Sequence, residues 1–208
     1  MIRSKPRRTK GTPSNAEPLH RKAWIQAART ALIKGGVQRV KVEPLATALG
    51  VTTGSFYWHF KNRTDLHEAL IADWRQQNSS AMYVAVAENP DDPERAMEAL
   101  ADIYILEQDY SPAWDAAMRD WARISASVER AVRQVDEQRI ELWRGIFKRL
   151  GYPDQEAFIR ARLTYFHQVG YYSLRIAETQ ADRLRLKRAY LDILIGPKAS
   201  TAANRLRD

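Results

Sequence analysis

Phe56 and Phe60 stand four residues apart, so on a helix their rings share one face, and that face is the one available for packing. The positions around them, Thr52, Thr53, Ser55, Tyr57, Trp58 and His59, then point elsewhere. An ordinary solvated face is dominated by Lys and Glu, whereas this one carries hydroxyls, an imidazole and amphipathic rings. Gly54 and the small polar groups permit close approach to another surface, while Tyr and His tips can donate to phosphate oxygens. That chemistry suits insertion into a DNA major groove. The competing reading makes Tyr57, Trp58 and His59 packing residues of a small helical domain, and it accounts for part of the Trp58 ring.

The charge distribution favours the groove. The chain has 208 residues and a formal net charge of +8. Residues 1–80 hold 14 Lys and Arg against 5 Asp and Glu, whereas residues 81–208 hold 19 against 20. A basic head therefore joins a near-neutral body, which puts a polyanionic partner at the N-terminal end. Residues 1–17 mix Arg3, Lys5, Arg7, Arg8 and Lys10 with Pro6, Gly11 and Pro13, and read as a disordered basic arm. Such an arm is either a solvated tail or a group of cations for phosphates or a minor groove.

The elements that must hold the aromatic segment come next. From Pro18 to Lys34 the positions Leu19, Ala23, Ala27, Ala31 and Leu32 recur at helical spacing, and Gly35-Gly36 stops the run. Pro44 to Leu49 supplies a second, two-turn helix ended by Gly50. Thr52 can then cap a third helix running through Phe60, and Asn62 can cap a fourth. Residues 18–62 thus form a three-helix helix-turn-helix DNA-binding domain.

The stretch Gly54-Ser55-Phe56-Tyr57-Trp58-His59-Phe60-Lys61-Asn62-Arg63, continuing to Leu66 and Leu70, resembles the recognition helix and following helix of the TetR family. The resemblance covers roughly residues 18–70. It implies base-edge or sugar contacts from Thr52, Thr53 and Ser55, phosphate contacts from Tyr57 and His59, and a phosphate-clamping cation at Arg63. Trp58 and Lys61 fall within the same DNA-facing stretch. Asn62, capping the next helix, aims its positive end at the backbone. Where family members often place Thr, Ser or Arg at the start of the second helix, this chain has Val42, Glu43 and Pro44. Either Lys41 takes over that phosphate contact or Glu43 accepts from a cytosine amino group.

Residues 63–196 show helical punctuation without strand-like alternation, so the fold class is all-α with about nine helices, and residues 197–208 read as a flexible tail. The body is assigned ligand binding and dimerisation, as the resemblance implies. Tyr104, Trp121, Trp143 and Phe147 are the candidate pocket rings, against the plain alternative that aromatic stripes are core. His167, with Gln168, is either a ligand anchor or a satisfied core residue. Arg119, Asp120 and Arg123 form a surface charge cluster, unless one arginine turns inward and selects an anion. Two last helices with apolar residues on more than one face make Tyr165, Val169, Tyr172, Leu184 and Leu191 the candidate dimer interface, against a deeper monomeric core.

No cysteine is present, and no stretch approaches the roughly 18 apolar residues that span a bilayer, so a cytoplasmic, non-membrane protein is expected. There is no metal-ligand cluster, phosphate loop or nucleophile signature, so neither an enzyme nor a cofactor is expected. The expected function is a homodimeric transcriptional regulator: a repressor released from a palindromic double-stranded DNA operator by a small hydrophobic or aromatic effector. The alternatives are a constitutive DNA-binding protein without an effector, or an enzyme using the body's cavity. Helix four, running from Asn62 to Trp74, is expected to be the only continuous element joining head and body, and hence the lever between them.

Overall fold

The structure is a computed structural model and describes residues 21–196; the expected arm, the tail and the start of helix one at Pro18 lie outside the described residues. Within that range the chain is all-helical. The head consists of α1 (Arg21–Gly35), a 3-10 turn (Val37–Arg39), α2 (Val42–Leu49) and α3 (Thr53–Phe56). The body follows with α4 (Arg63–Gln77), α5 (Ser80–Ala87), α6 (Pro93–Leu106), α7 (Pro112–Ala122), α8 (Ala126–Arg149), α9 (Asp154–Ser173) and α10 (Gln180–Ile195).

Local chemistry sets most of these boundaries. Gly50 adopts φ +68°, and its N–H reaches back to Ala46 and Thr47 carbonyls, a left-handed cap that only glycine adopts without strain. At α4 the Asn62 side chain accepts from the Asp65 N–H at 3.0 Å, while the Lys61 N–H donates to Asp65 Oδ2 at 3.0 Å. This reciprocal cap satisfies donors on both sides of the helix start. Asp92-Pro93 and Ser111-Pro112 open α6 and α7, with the Asp92 carboxylate accepting from Arg95 N–H and the Ser111 hydroxyl from Trp114 N–H.

The short helix α5 arises from a break that periodicity alone does not mark. Asn78 and Ser79 leave the helical path, and both are buried, 2% and 4% exposed. The polar run from Arg75 to Ser80 reads as solvated surface, yet two of its members serve an interior polar network described below.

Two apolar cores result. The first gathers Trp24, Leu32, Leu45, Phe56 and Phe60 of the head with Leu66, Leu70 and Trp74 of α4, then continues into Trp114, Met118 and Trp121 of α7 and Val128 and Val132 of α8. The second joins α5, α6, α8, α9 and α10 through Met82, Met97, Leu100, Tyr104, Trp143, Phe147, Tyr165 and Leu191. Trp24, Trp74 and Trp114 are wholly buried, and truncating any one to Ala costs about 3–5 kcal/mol.

The first core also changes the expected link between head and body. The Arg29 guanidinium of α1 lies 3.9 Å from the centroid of the Trp114 ring on α7. Helix α4 is the covalent connection, but α7 packs on both α1 and α4, so head and body are joined through two helices. No helix among the described residues is long and apolar enough to cross a membrane.

Candidate DNA-binding face and body cavity

Phe56 and Phe60 are buried, stacked at 5.2 Å, with the edge of Trp24 against Phe56 at 5.3 Å. The opposite side is open: Tyr57 is 65% and Trp58 87% exposed. The Trp58 ring therefore does not pack, contrary to the partial packing role considered from sequence. Thr52 and Thr53 are exposed, and Ser55 and His59 half-buried beside them.

The third helix is shorter than its sequence span suggests. After Phe56 the backbone tightens, with Tyr57 N–H on Gly54 O at 3.2 Å and His59 N–H on Phe56 O at 3.0 Å. Two β-branched threonines and a glycine at the start of so short an element disfavour a regular helix, and Phe56–Phe60 packing with the Phe60 N–H on Phe56 O holds the remaining turn. Thr52 occupies the cap position but its side chain makes no capping bond.

The cations around this face divide by task. Lys41, preceding α2, and Lys61 have exposed side chains. Arg63 is exposed too, but one nitrogen donates to Val37 O at 3.1 Å, tying the start of α4 to the 3-10 turn. Glu43 stands exposed in the first turn of α2, where a carboxylate complements the helix dipole. That gives it a local structural role.

Behind the face, α4 meets α7 through two contacts. The His67 ring stands edge-on to Trp121, centroids 4.9 Å apart. Burial and the neighbouring Arg63 lower its pKa to about 4, so it is neutral at pH 7. Further along, Trp74 Nε1 donates to Asp115 Oδ1 at 2.9 Å. Asp115 pairs with Arg139 of α8 at 2.7 Å and accepts from Asn78 Nδ2 at 2.7 Å and from the Tyr110 hydroxyl at 3.3 Å. Burial pushes the Asp115 carboxyl up, but the Arg139 guanidinium prevails and holds it below the ordinary range. Neither Asp115 nor Asn78 has a sequence signature, because a lone polar residue on a helix looks solvated until its neighbours are known.

In the body, Tyr104, Trp143 and His167 surround one cavity of about 90 Å³ between α6, α8, α9 and α10. Phe147 is fully buried in the same core without lining it. Trp121 lies in the other core, because Trp114, Met118 and Trp121 recur at helical spacing and turn together toward α1 and α4. Sequence reasoning missed Thr164, Tyr171, Arg183, Tyr190 and Leu194 in this lining. Cations interspersed among leucines on α10 were the available signal.

Of the charge cluster, Asp120 and Arg123 pair at the surface. Arg119 turns inward, bonded to both Asp136 oxygens at 2.6 and 2.9 Å and to the Tyr165 hydroxyl at 3.0 Å. The residues expected at a dimer interface separate likewise. Tyr165 is buried and donates to Asp136 Oδ1, Leu191 is buried, and Tyr172 donates to Tyr104 O at 2.6 Å. These three are engaged within the chain: α9 turns Tyr165 onto α8, Tyr172 reaches α6, and Leu191 of α10 packs in the second core. Val169 packs partly on the second core, and Leu184 is exposed. The apolar residues left outward are Ile159, Leu163 and Phe166 on α9, with Ile193, 76% exposed, and Tyr190 on α10.

A buried aromatic face backing exposed Thr, Tyr and Trp after a Gly50 turn defines a helix-turn-helix DNA-binding head on a helical body. Residues 25–70 match the family model of bacterial regulatory proteins, tetR family. HTH-type transcriptional regulator TtgR of Pseudomonas putida is 34% identical over 76 residues, which span 36% of this chain and 36% of that protein. The structure of the ketosteroid transcriptional regulator KstR2 of Mycobacterium tuberculosis superposes with a TM-score of 0.63 at 16% identity, covering 85% of this chain and 93% of that one. A TetR transcriptional regulator from Legionella pneumophila gives 0.63 at 16% identity over 87% of this chain and 95% of its own. These likenesses extend the shared fold through the body.

Proposed function

We propose that the protein is a homodimeric transcriptional repressor that grips a palindromic operator with two copies of the α3 turn and lets go when a small apolar molecule occupies the body cavity. The observation that carries the DNA-binding part is the two-sided α3 turn: Phe56 and Phe60 are buried, while Tyr57 and Trp58 are left open beside Thr52 and Thr53. In this reading Thr53 and Ser55 meet base edges, Tyr57 and His59 donate to phosphates, and Lys41, Lys61 and the free edge of Arg63 add charge. Two-fold symmetry places half-sites one helical turn, about 34–36 Å, or a multiple of it apart. The stripe of Ile159, Leu163 and Phe166 with Ile193 supplies the apolar face against which a second copy buries itself.

Release requires a state with different head spacing, favoured by the ligand through differential affinity. A short physical route connects the sites. Tyr104 in the cavity wall stands edge-on to Tyr110 at 5.1 Å, Tyr110 bonds Asp115, and Asp115 holds Trp74 of α4. Helix α7, carrying Asp115, also holds α1 through Trp114 and Arg29.

A mobility-shift assay on DNA flanking the protein's own gene, repeated with a panel of small aromatic compounds, tests this. Saturable, sequence-selective binding that a compound reverses is expected. Binding that no compound alters indicates a constitutive DNA-binding protein, a reading favoured by the cavity's small volume. Absence of selective DNA binding refutes the proposal.

A further inference from the structure

We propose that the cavity selects an uncharged, single-ring aromatic ligand bearing one hydrogen-bond acceptor, such as a carbonyl oxygen, directed at Gln168. This rests on the reading of the cavity as an effector site and assigns its ligand chemistry.

The polar inventory of the wall disfavours ions. It holds one carboxylate, Glu178, which accepts from the Tyr171 hydroxyl at 3.2 Å, and two cations, both already matched. Arg183 donates to Glu107 Oε1 at 2.9 Å, to Tyr104 O at 2.9 Å and to the Tyr172 hydroxyl at 3.2 Å. Lys187 donates to Asp102 at 2.8 Å. An anionic ligand gains nothing from a cation whose partner is in place, and displacing Glu107 or Asp102 leaves that carboxylate uncompensated. A cationic ligand meets two positive side chains against the single carboxylate of Glu178. His167, an exposed member of the lining, has its pKa lowered by partial burial, with Glu178 opposing, and adds little charge at pH 7.

One buried donor in the wall is unmatched. The Nε2 of Gln168 is buried and has no hydrogen-bond partner among the described residues. A buried amide N–H without an acceptor is costly, so a ligand oxygen placed there satisfies a group the fold leaves open. Around it the rings of Tyr104, Trp143 and Tyr190 suit the faces and edges of an aromatic ring.

Volume sets the size. Cavities of about 150 Å³ admit benzene, and drug-sized sites run to about 300–1,000 Å³, so about 90 Å³ limits the ligand to one ring, accommodated by a side-chain movement in the wall. The Tyr190 ring, 44% exposed, is the wall element free to move, since α10 itself is tied to α6 by Arg183 and Lys187.

Calorimetric titration of the full chain with acetophenone, isopropylbenzene and benzoate tests the assignment, because the three share a ring and similar volume but differ in acceptor and charge. Acetophenone is expected to bind at least about tenfold tighter than either other probe. In Gln168→Leu, acetophenone affinity is expected to fall to that of isopropylbenzene, whose retained binding shows that the cavity still forms. Benzoate binding tightest, acetophenone equalling isopropylbenzene, or an unchanged preference in Gln168→Leu each overturns the proposal. Should acetophenone bind as expected yet leave operator binding unaltered, the ligand chemistry stands and the effector role fails. Should no probe bind, both fail.

Discussion

The indole N–H of Trp74 donates to Asp115 at 2.9 Å, so the helix that leaves the DNA-binding head is anchored to one half of a buried ion pair whose other half, Arg139, is only 1% exposed. Removing one member leaves a buried charge uncompensated. Asp115→Ala and Arg139→Ala are each expected to lose about 3–5 kcal/mol in urea unfolding. The paired replacement Asp115→Leu with Arg139→Met is expected to lose much less than the sum of the single losses. Additive losses would show that the pair does not act as a unit. Trp74→Phe keeps the ring but deletes the N–H, and is expected to weaken ligand-induced release from the operator; an unchanged release curve would remove Trp74 from the coupling route.

His67 predicts a pH dependence with a definite sign. Its folded pKa is lowered to about 4 by burial and by Arg63, below the unfolded value of about 6.5. Above pH 6.5 it is neutral in both states and imposes no penalty. As pH falls from 6.5 toward 4 the unfolded chain binds the proton first, so stability declines, by at most about 1.4 kcal/mol per pH unit from this group. Comparing urea midpoints at pH 7.5 and 5.0 at one protein concentration should show a smaller drop in His67→Gln than in the wild type. Equal drops would place the titration elsewhere.

On the DNA face, hydroxyl and methyl deletions separate positioning from specificity. Tyr57→Phe removes one proposed phosphate hydrogen bond, worth about 1 kcal/mol, and should weaken binding by roughly fivefold on every operator sequence alike. Thr53→Ala should instead lower discrimination at one base position by about 1–3 kcal/mol. Affinities measured at fixed salt across single-base operator variants distinguish the two patterns. A uniform loss in Thr53→Ala would move that residue to the backbone contacts.

The outward stripe of α9 makes oligomeric state testable. Leu163 is 60% exposed within one chain, so Leu163→Glu costs the single chain little, but it places a charge at the centre of the proposed two-fold interface. Sedimentation is expected to show monomers, with operator affinity reduced by the loss of the second head. A variant that stays dimeric would locate the interface elsewhere.

The head is legible in sequence because its determinants are local: the Phe56–Phe60 spacing, the glycine at position 50 and the Asn62 cap each act within a few residues. The body's helices are legible for the same reason, as at Asp92-Pro93 and Ser111-Pro112. The short α5 is the exception. Its start depends on Asn78 and Ser79 being drawn inward to Asp115 and Arg139, partners some 37 and 60 residues away.

Rotation of helices about their own axes was decided by tertiary packing alone. Trp121 and Tyr104 are both rings on amphipathic helices, yet α7 turns Trp121 to His67 and the head, while α6 turns Tyr104 to the cavity. Tyr165 and Leu163 are two residues apart, and only the close packing of α9 on α8 makes the first interior and the second free. The amino-acid sequence by itself determined an all-α chain with a basic helix-turn-helix head, because caps, glycine turns and i, i+4 pairs are short-range effects. Which body rings surround a cavity, which polar groups are buried together and which apolar stripe remains for a partner depend on contacts between residues distant in the chain. Those contacts exist only once the helices have packed.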